Sequence, residues 1–297
     1  MTFSALPAES AGRSRFGSPA DSVLRLRNAS LGFGDRTLWS GLNLDVHAGE
    51  FIAVLGANGS GKTSLLKVIL GQNQLSAGEI SFLGHPVTRG SRQIGYIPQQ
   101  KLADDGTPLR ARDLVALGLN GHIWGPPWPS KATRHKVDEL LAAVGATEYA
   151  NVPISTLSGG EQQRLRVGQA LAGDPRLILC DEPLISLDLN HQAGVSELID
   201  RHRRERNLGV LFVTHDINPI LGMVDRVLYL AGGSFRIGTP DEVLRSDVLS
   251  DLYGSTVDVI RTRGRVIVVG APDSPHGQTD AAHHDETSAI SSQERLP

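Results

Sequence analysis

The chain has 297 residues, a formal net charge of −3 at pH 7, and a composition that is 40% hydrophobic and 21% charged. This is ordinary for a globular protein of one large or two modest domains, and it offers no basic surface that would favour nucleic acid as a partner. The single cysteine, Cys180, excludes an internal disulfide. Because no apolar run approaches the about 18 to 20 residues that span a bilayer, we expect a soluble chain that reaches a membrane only through a partner.

Composition also divides the chain into parts. Residues 1–20 are rich in Ser, Ala, Gly and Pro and predict a disordered arm, whereas residues 21–250 predict one α/β domain. A short β extension is expected over 251–270, followed by a disordered polar tail over 271–297. The tail contains three histidines that could buffer a divalent metal, although incidental histidines in a polar tail are the interpretation we favour: His276, His283 and His284.

The first predicted elements are antiparallel strands, because apolar residues alternate at Leu24 and Leu26 and again at Leu42, Leu44 and Val46, around the turn-like GFGDR. Further along the chain, apolar residues occur in continuous runs, as expected for strands buried on both faces of a parallel sheet. These runs are Phe51–Leu55, Leu177–Cys180 and Val210–Val213. Segments with helical spacing separate them, so the fold class is α/β with a mostly parallel core sheet.

Residues 107–156 have a helical pattern, and we interpret them as a small helical subdomain inserted in the core. An apolar stripe at i, i+3, i+4 and i+7 comprises Val137, Leu140, Leu141 and Val144. A Gly/Pro/Trp-rich stretch, Gly121–Ser130, divides the region into at least two helices.

Three signals follow the last core strand. Val227–Leu230 and Ser234–Ile237 flank Gly232-Gly233 and predict a hairpin. Thr239–Glu242 has the pattern of a capping box with proline at the first helical position. Val257–Val269 alternates and predicts a second hairpin.

The first chemical motif is a phosphate-binding loop of the form G-x-x-x-x-G-K-[ST]. It follows a buried strand and precedes a helix predicted over Ser64–Leu70, which is the context that the motif requires. Glycines let backbone N–H groups point at phosphate oxygens, Lys62 would neutralise phosphate charge, and the Thr63 hydroxyl would ligate Mg²⁺. The candidate phosphate-binding residues are Gly56, Ala57, Asn58, Gly59, Ser60, Gly61, Lys62, Thr63 and Ser64.

The second motif is an acidic pair at the end of the strand Leu177–Cys180. Ligands bind at the carboxyl edge of open α/β sheets, so Asp181 and Glu182 are expected at that edge. Asp181 is a candidate Mg²⁺ ligand, and Glu182 is the candidate general base that polarises the attacking water.

The third motif is Ser158-Gly159-Gly160-Glu161, in which Ser158 and Glu161 form a capping box. The two glycines leave the helix N-terminus open to a phosphate. Because the first loop already serves one nucleotide, this helix makes most sense if it serves a nucleotide held by another subunit.

Taken together, the phosphate loop, LSGGEQQR and LILCDEP resemble the ATP-binding cassette (ABC) ATPase family, and the resemblance covers about Val23 to Leu249. It implies that Phe33 stacks on adenine in place of the usual Tyr, and that Gln99 senses Mg²⁺ and water. It also implies that Asp188 lies in the dimer-contact loop and that His215 is the switch histidine at the γ-phosphate. Residues 184–187 depart from the common Thr-Ser-Ala-Leu, so the resemblance does not imply the family's usual hydrogen bonds from that loop.

The resemblance further implies an ATP hydrolase with ATP and Mg²⁺ as cofactors, acting as a head-to-tail homodimer. Its other partners would be a separate integral membrane permease and a substrate-binding protein, at the cytoplasmic face of the cell membrane. The segments IGYIPQQ and THDINPILGMVDRVLYL resemble those of the zinc and manganese uptake branch of the family. Iron–siderophore or cobalamin import and an iron–sulfur assembly ATPase stay open as alternatives.

Several residues are expected to be structural only. Cys180 should be a small core residue, and the three tryptophans should serve packing or the surface. The basic run at 201–206 is expected to be a solvated helix end. The tryptophans are Trp39, Trp124 and Trp128.

Overall fold

A computed structural model of the chain describes residues 22–99, 109–121 and 130–270. The expectations for residues 1–20 and 271–297, with the tail histidines, lie outside these ranges, as do Trp124 and Trp128. None of the helices in the described ranges is long and apolar enough to cross a membrane.

Twelve strands lie in the described residues. They are β1 (Ser22–Phe33), β2 (Arg36–His47), β3 (Phe51–Gly56), β4 (Ala77–Phe82), β5 (His85–Pro86), β6 (Ile94–Ile97), β7 (Leu177–Asp181), β8 (Gly209–Val213), β9 (Arg226–Ala231), β10 (Ser234–Gly238), β11 (Asp258–Thr262) and β12 (Arg265–Val269). The helices of the same ranges are α1 (Lys62–Ile69), α2 (Ala111–Asn120), α3 (Lys131–Ala143), α4 (Gly159–Leu171), α5 (Leu189–Arg206), α6 (Pro240–Val243) and α7 (Ser246–Tyr253), with 3₁₀ turns at Ile154–Thr156 and Leu221–Met223.

The strands form three sheets. The predicted N-terminal antiparallel segment is confirmed as a four-stranded sheet with the order β2-β1-β4-β5. The core sheet has the order β10-β9-β3-β8-β7-β6, in which only the edge strand β10 runs antiparallel to its neighbour. The remaining two strands form the predicted C-terminal hairpin, β11-β12. The α/β class with a mostly parallel core is therefore confirmed.

Strand β3 explains why the core runs are continuously apolar. Phe51, Ala53 and Leu55 pack into the hydrophobic cluster on the side of the large helices, whereas Ile52 and Val54 pack into the cluster beneath the antiparallel sheet. Successive side chains of a strand point to opposite faces, so a strand covered on both faces has no position left for a polar residue.

Local sequence signals correspond closely to structure in three places. The stripe predicted at 137–144 is buried along α3 and beyond its end. Gly232 and Gly233 both adopt positive φ in the turn between β9 and β10, as a two-residue hairpin requires. Thr239 and Glu242 form the predicted reciprocal capping box at the start of α6, with Pro240 at its first position.

The start of the helix after the phosphate loop differs from the prediction. Helix α1 begins at Lys62, two residues before the expected Ser64, because Gly61 takes a left-handed conformation and caps the helix directly at the motif lysine. The helix ends at Ile69, and Gly71 follows with a positive φ of 67°.

The expectation of a solvated helix end at 201–206 was wrong in part. His202 continues the buried face of α5, and the Arg203 side chain is only 12% exposed. The Arg203 guanidinium donates to the Gly49 carbonyl at 2.5 Å and to Asp225 at 3.1 Å, and it pairs with Asp200 at 2.8 Å. Arg203 therefore attaches the end of α5 to the residues that lead into β3 and β9 of the core sheet.

Replacing Arg203 by Ala should destabilise the fold by about 3 kcal/mol, because it removes one partner from the buried Asp200 and one from Asp225. Arg206→Ala is the matched control, since Arg206 pairs at 3.3 Å with an exposed Asp174 and such pairs contribute about 0 to 1 kcal/mol. Urea unfolding of both variants measures the difference. Equal midpoints for the two variants would contradict this role for Arg203.

Candidate nucleotide-binding site

The phosphate loop turns from the end of β3 into α1 across backbone positions that only glycine fits. At Gly56 a Cβ atom would lie 2.0 Å from the Leu230 carbonyl oxygen, and φ is +139°. At Gly61 a Cβ would lie 2.9 Å from Trp39 Nε1, and φ is +96°. The buried Trp39 thus supports the loop from below, which assigns it the packing role expected of it.

Lys62 is buried beneath this loop. Its ammonium donates to the carbonyl oxygens of Gly56 at 2.7 Å and Ala57 at 3.0 Å. Burial lowers the pKa of Lys62 from its ordinary value, and the charges of Glu182 and Asp181 oppose that shift. The Ser60 hydroxyl, also in the loop, is buried without a hydrogen-bond partner in the described part of the chain. A bound phosphate group would pair with the Lys62 cation and would accept a hydrogen bond from the Ser60 hydroxyl.

Asp181 ends β7 at the carboxyl edge of the core sheet and meets the phosphate loop there. Its Oδ1 accepts a hydrogen bond from the Thr63 hydroxyl at 3.0 Å, and its Oδ2 accepts one from the Tyr96 hydroxyl at 3.2 Å. Burial, followed by the charge of Asp181, raises the pKa of Tyr96 to about 12, so the phenol stays a donor. Tyr96 was not among the residues predicted from the sequence, where its signal is an aromatic residue in the short strand that precedes Gln99.

Glu182 is the next residue, and its backbone turns sharply at a φ of 50°. One carboxylate oxygen accepts a hydrogen bond from Gln99 Nε2 at 2.9 Å, and the other lies 2.5 Å from His215 Nε2. A positive φ at a non-glycine residue is uncommon and costs on the order of 1 kcal/mol, so the surrounding contacts must hold it in place. Gln99 and His215, which come from separate parts of the sequence, therefore both contact the Glu182 carboxylate.

His215 follows β8 in a loop with a further attachment that sequence reasoning missed. Asn218 donates to the Val266 carbonyl at 3.0 Å and accepts from the Val266 amide at 2.8 Å. Asn218 also donates to Asp216 Oδ1 through its side chain at 2.7 Å. The C-terminal hairpin thus holds the loop that carries His215, a link between residues 48 positions apart that no local pattern indicates.

Phe33 lies at the exposed turn between β1 and β2, with 56% of its surface accessible. Its partner in the strand register, Arg36, donates to the Gly59 carbonyl at 3.0 Å and ties this turn to the phosphate loop. An exposed aromatic ring beside the loop suits stacking on a flat base.

The glycine motif begins α4 as predicted. The Ser158 hydroxyl accepts from the Glu161 amide at 3.3 Å, and Glu161 Oε2 accepts from the Ser158 amide at 2.8 Å. Gly159 is exposed, whereas Gly160 is buried. Asp188 caps α5 by accepting from the amides of Asn190 and His191.

Known proteins with similar sequences and folds identify the family of this chain. The family model described as ABC transporter matches residues 39–185. The zinc import ATP-binding protein ZnuC of Chelativorans sp. (strain BNC1) is 33% identical over 233 residues, covering 78% of this chain and 76% of that protein.

Two solved structures are similar in fold. A metal-chelate type ABC transporter in an inward-facing conformation is 27% identical with a TM-score of 0.71, covering 83% of this chain and 96% of that one. CbiO1 from Clostridium perfringens, part of the transporter complex cbiONQ, is 24% identical with a TM-score of 0.66, covering 78% and 94%. The chain belongs to the ABC transporter family and is an ATP-binding, ATP-hydrolysing member of it.

Proposed function

We propose that this chain is the ATPase subunit of a membrane transporter that imports a divalent metal ion, zinc or manganese. The observation that carries the ATPase chemistry is the arrangement of two adjacent acids at the sheet edge. Asp181 accepts from Thr63 of the phosphate loop, and Glu182 accepts from Gln99 and lies against His215.

The residues at this edge fit Mg²⁺. The Thr63 hydroxyl and the Asp181 carboxylate supply hard oxygen ligands, and the Gln99 amide oxygen is a third candidate. Mg²⁺ is commonly held by one or two carboxylates together with substrate phosphates and several waters, so a small protein ligand set is expected. The bound ion would neutralise charge that develops on the phosphate oxygens.

The protein groups divide the remaining work. The loop amides of 56–64 and the Lys62 ammonium bind and orient the phosphates, and Phe33 stacks on the adenine. Glu182 accepts a proton from the attacking water on its carboxylate while the bond between the β–γ bridging oxygen and the γ-phosphorus breaks. His215 and Gln99 hold the Glu182 carboxylate in place for this transfer.

The active unit in this proposal is a head-to-tail homodimer, in which Ser158 and Gly159 of one copy face the ATP held by the other. The capping box holds Ser158 at the N-terminus of α4, where the helix dipole favours a phosphate. A twofold dimer gives two equivalent sites from a chain that carries each motif once.

A separate membrane permease would dock where the helical segments meet the core sheet. A groove of about 500 Å³ opens there between β6, α2 and α4, and the groove is lined by residues that include Arg89, Arg92, Tyr96, Leu117 and Gln169. Tyr96 lines this groove and donates a hydrogen bond to Asp181, so a partner in the groove could contact a residue that is bonded directly to the site. The complex would place this chain at the cytoplasmic face of the membrane, with a substrate-binding protein on the far side.

The cargo is supported by the identity with a zinc import ATP-binding protein over most of both chains. Import of a metal chelate, such as an iron–siderophore or cobalamin, is the second candidate, favoured by the similarity to a metal-chelate type transporter. An iron–sulfur assembly ATPase is the remaining alternative.

Deleting the gene should lower cellular zinc or manganese and impair growth, and adding that metal should restore growth. Elemental analysis of washed cells measures the loss, and the matched control is complementation with the intact chain or with Glu182→Gln. Only the intact chain should restore the metal. Unchanged zinc and manganese beside a loss of iron-chelate or cobalamin uptake would contradict the proposed cargo and favour the second candidate.

A further inference from the structure

The second glycine of the Ser158–Glu161 motif is filled by another residue of the same chain. A Cβ atom on Gly160 would lie 2.1 Å from Cδ2 and 2.8 Å from Cγ of His191. The imidazole thus lies against the Gly160 backbone and takes the space of a side chain. By contrast, the nearest atom to a Cβ on Gly159 is Leu187 Cδ2 at 3.3 Å, and Gly159 remains exposed.

His191 is itself held from the other side. Its Nδ1 lies 2.5 Å from Asp188 Oδ2, while Oδ1 of the same carboxylate accepts from the amides of Asn190 and His191. The hydrogen bond from the His191 ring is the largest cause of a lowered pKa at Asp188, so the carboxylate stays charged and keeps the ring in place. One histidine therefore connects the loop before α5 to the first turn of α4.

We propose that His191 is a positioning residue that fixes the N-terminus of α4 against the Asp188 loop, so that the two dimer-facing segments act as one rigid unit. The inference rests on the proposed homodimer, because both segments would serve the ATP of the opposite copy. It gives Gly160 a steric role distinct from that of Gly159: the first glycine leaves room for the nucleotide, and the second leaves room for His191.

This role predicts a specific rescue. Gly160→Ala should lower the kcat of ATP hydrolysis by at least about 10-fold, because the added methyl group collides with the ring and forces the start of α4 away from the Asp188 loop. His191→Ala should lower kcat less, and the double variant should recover to the level of His191→Ala, because the methyl group then has room. Asn190→Ala, an exposed neighbour on the same turn, is the control and should match the wild type. A double variant as slow as Gly160→Ala, or slower, would overturn the proposal.

A second measurement separates positioning from general damage. His191→Ala should keep wild-type affinity for a fluorescent ATP analogue at its own phosphate loop, and an equal mixture with Lys62→Ala should hydrolyse ATP faster than the mean of the two variants measured separately. The mixture of Lys62→Ala with Ser158→Arg is the reference. Recovery in the reference mixture alone would overturn the role of His191 and leave the proposed dimer intact. Failure of both mixtures, with mixed dimers shown to form, would overturn the dimer and this inference together.

Discussion

Glu182→Gln is expected to bind ATP and to hydrolyse it at least about 100-fold more slowly than the wild type. The glutamine amide keeps the shape of the side chain and can still accept from Gln99 Nε2, but it cannot take a proton from water. Steady-state phosphate release measures the rate, and equilibrium binding of labelled ATP measures the retained affinity. Glu197→Gln removes an exposed carboxylate on α5 and is the matched control, expected to turn over normally.

The same variant should accumulate as a dimer in the presence of ATP, because hydrolysis is the step that would release the two copies. Size-exclusion chromatography with ATP and then with ADP distinguishes the two states, and only ATP should shift Glu182→Gln toward the larger species. Near-normal turnover by Glu182→Gln would contradict its role as the base and would leave the water to be activated by another group.

Much of the fold follows from patterns within single segments. Alternating and continuous apolar runs separate the antiparallel sheet from the core sheet, because one-sided and two-sided burial leave different signatures. The Thr239 and Ser158 capping boxes and the Gly232-Gly233 turn are fully local, so their chemistry can be read without the rest of the chain. Strand β6 has no comparable signal, because it is only four residues long and contains Gly95. The glycine is required by packing, since a Cβ atom there would lie 2.6 Å from the Ala170 carbonyl oxygen.

The candidate site also contains some residues that local sequence patterns predict and others that they do not. The phosphate loop and the acid pair are contiguous motifs, so the sequence predicts their residues, whereas Gln99 and His215 were selected only through the family resemblance. Their convergence on Glu182 depends on the strand order β8-β7-β6, which brings three strand ends to one edge. The hydrogen bonds from Tyr96 to Asp181 and from Asn218 to Val266 join residues that are 85 and 48 positions apart in the sequence. No periodicity of the sequence predicts a pairing at such separations.

Burial of charged residues was the other feature that sequence patterns concealed. The run at 201–206 contains four arginines, which favoured a solvated surface. Its fate is set by tertiary contacts, because Asp200 is 2% exposed and accepts from both Arg203 and Arg204. A charged side chain can be buried only with such partners, and the partner Asp225 lies 22 residues from Arg203, outside the helix.

Mixing two inactive variants, Lys62→Ala and Ser158→Arg, should restore ATP hydrolysis that neither variant shows alone. In the proposed dimer each site combines Lys62 of one copy with Ser158 of the other. A mixed dimer therefore has one site that carries both defects and one that carries none. If the copies associate at random, half of the dimers are mixed, and the mixture should reach about a quarter of wild-type activity.

The position of Ser158 makes this outcome specific. Its hydroxyl and amide are committed to the capping box with Glu161 in its own chain, and an arginine there would remove the cap and obstruct the helix N-terminus. Ser155→Arg, at an exposed position three residues earlier, is the control and should be active by itself. Labelled copies report by energy transfer whether mixed dimers form. Mixed dimers that form with ATP and yet show no hydrolysis would contradict a site shared between two copies, and Ser158 would then serve only as the cap of α4.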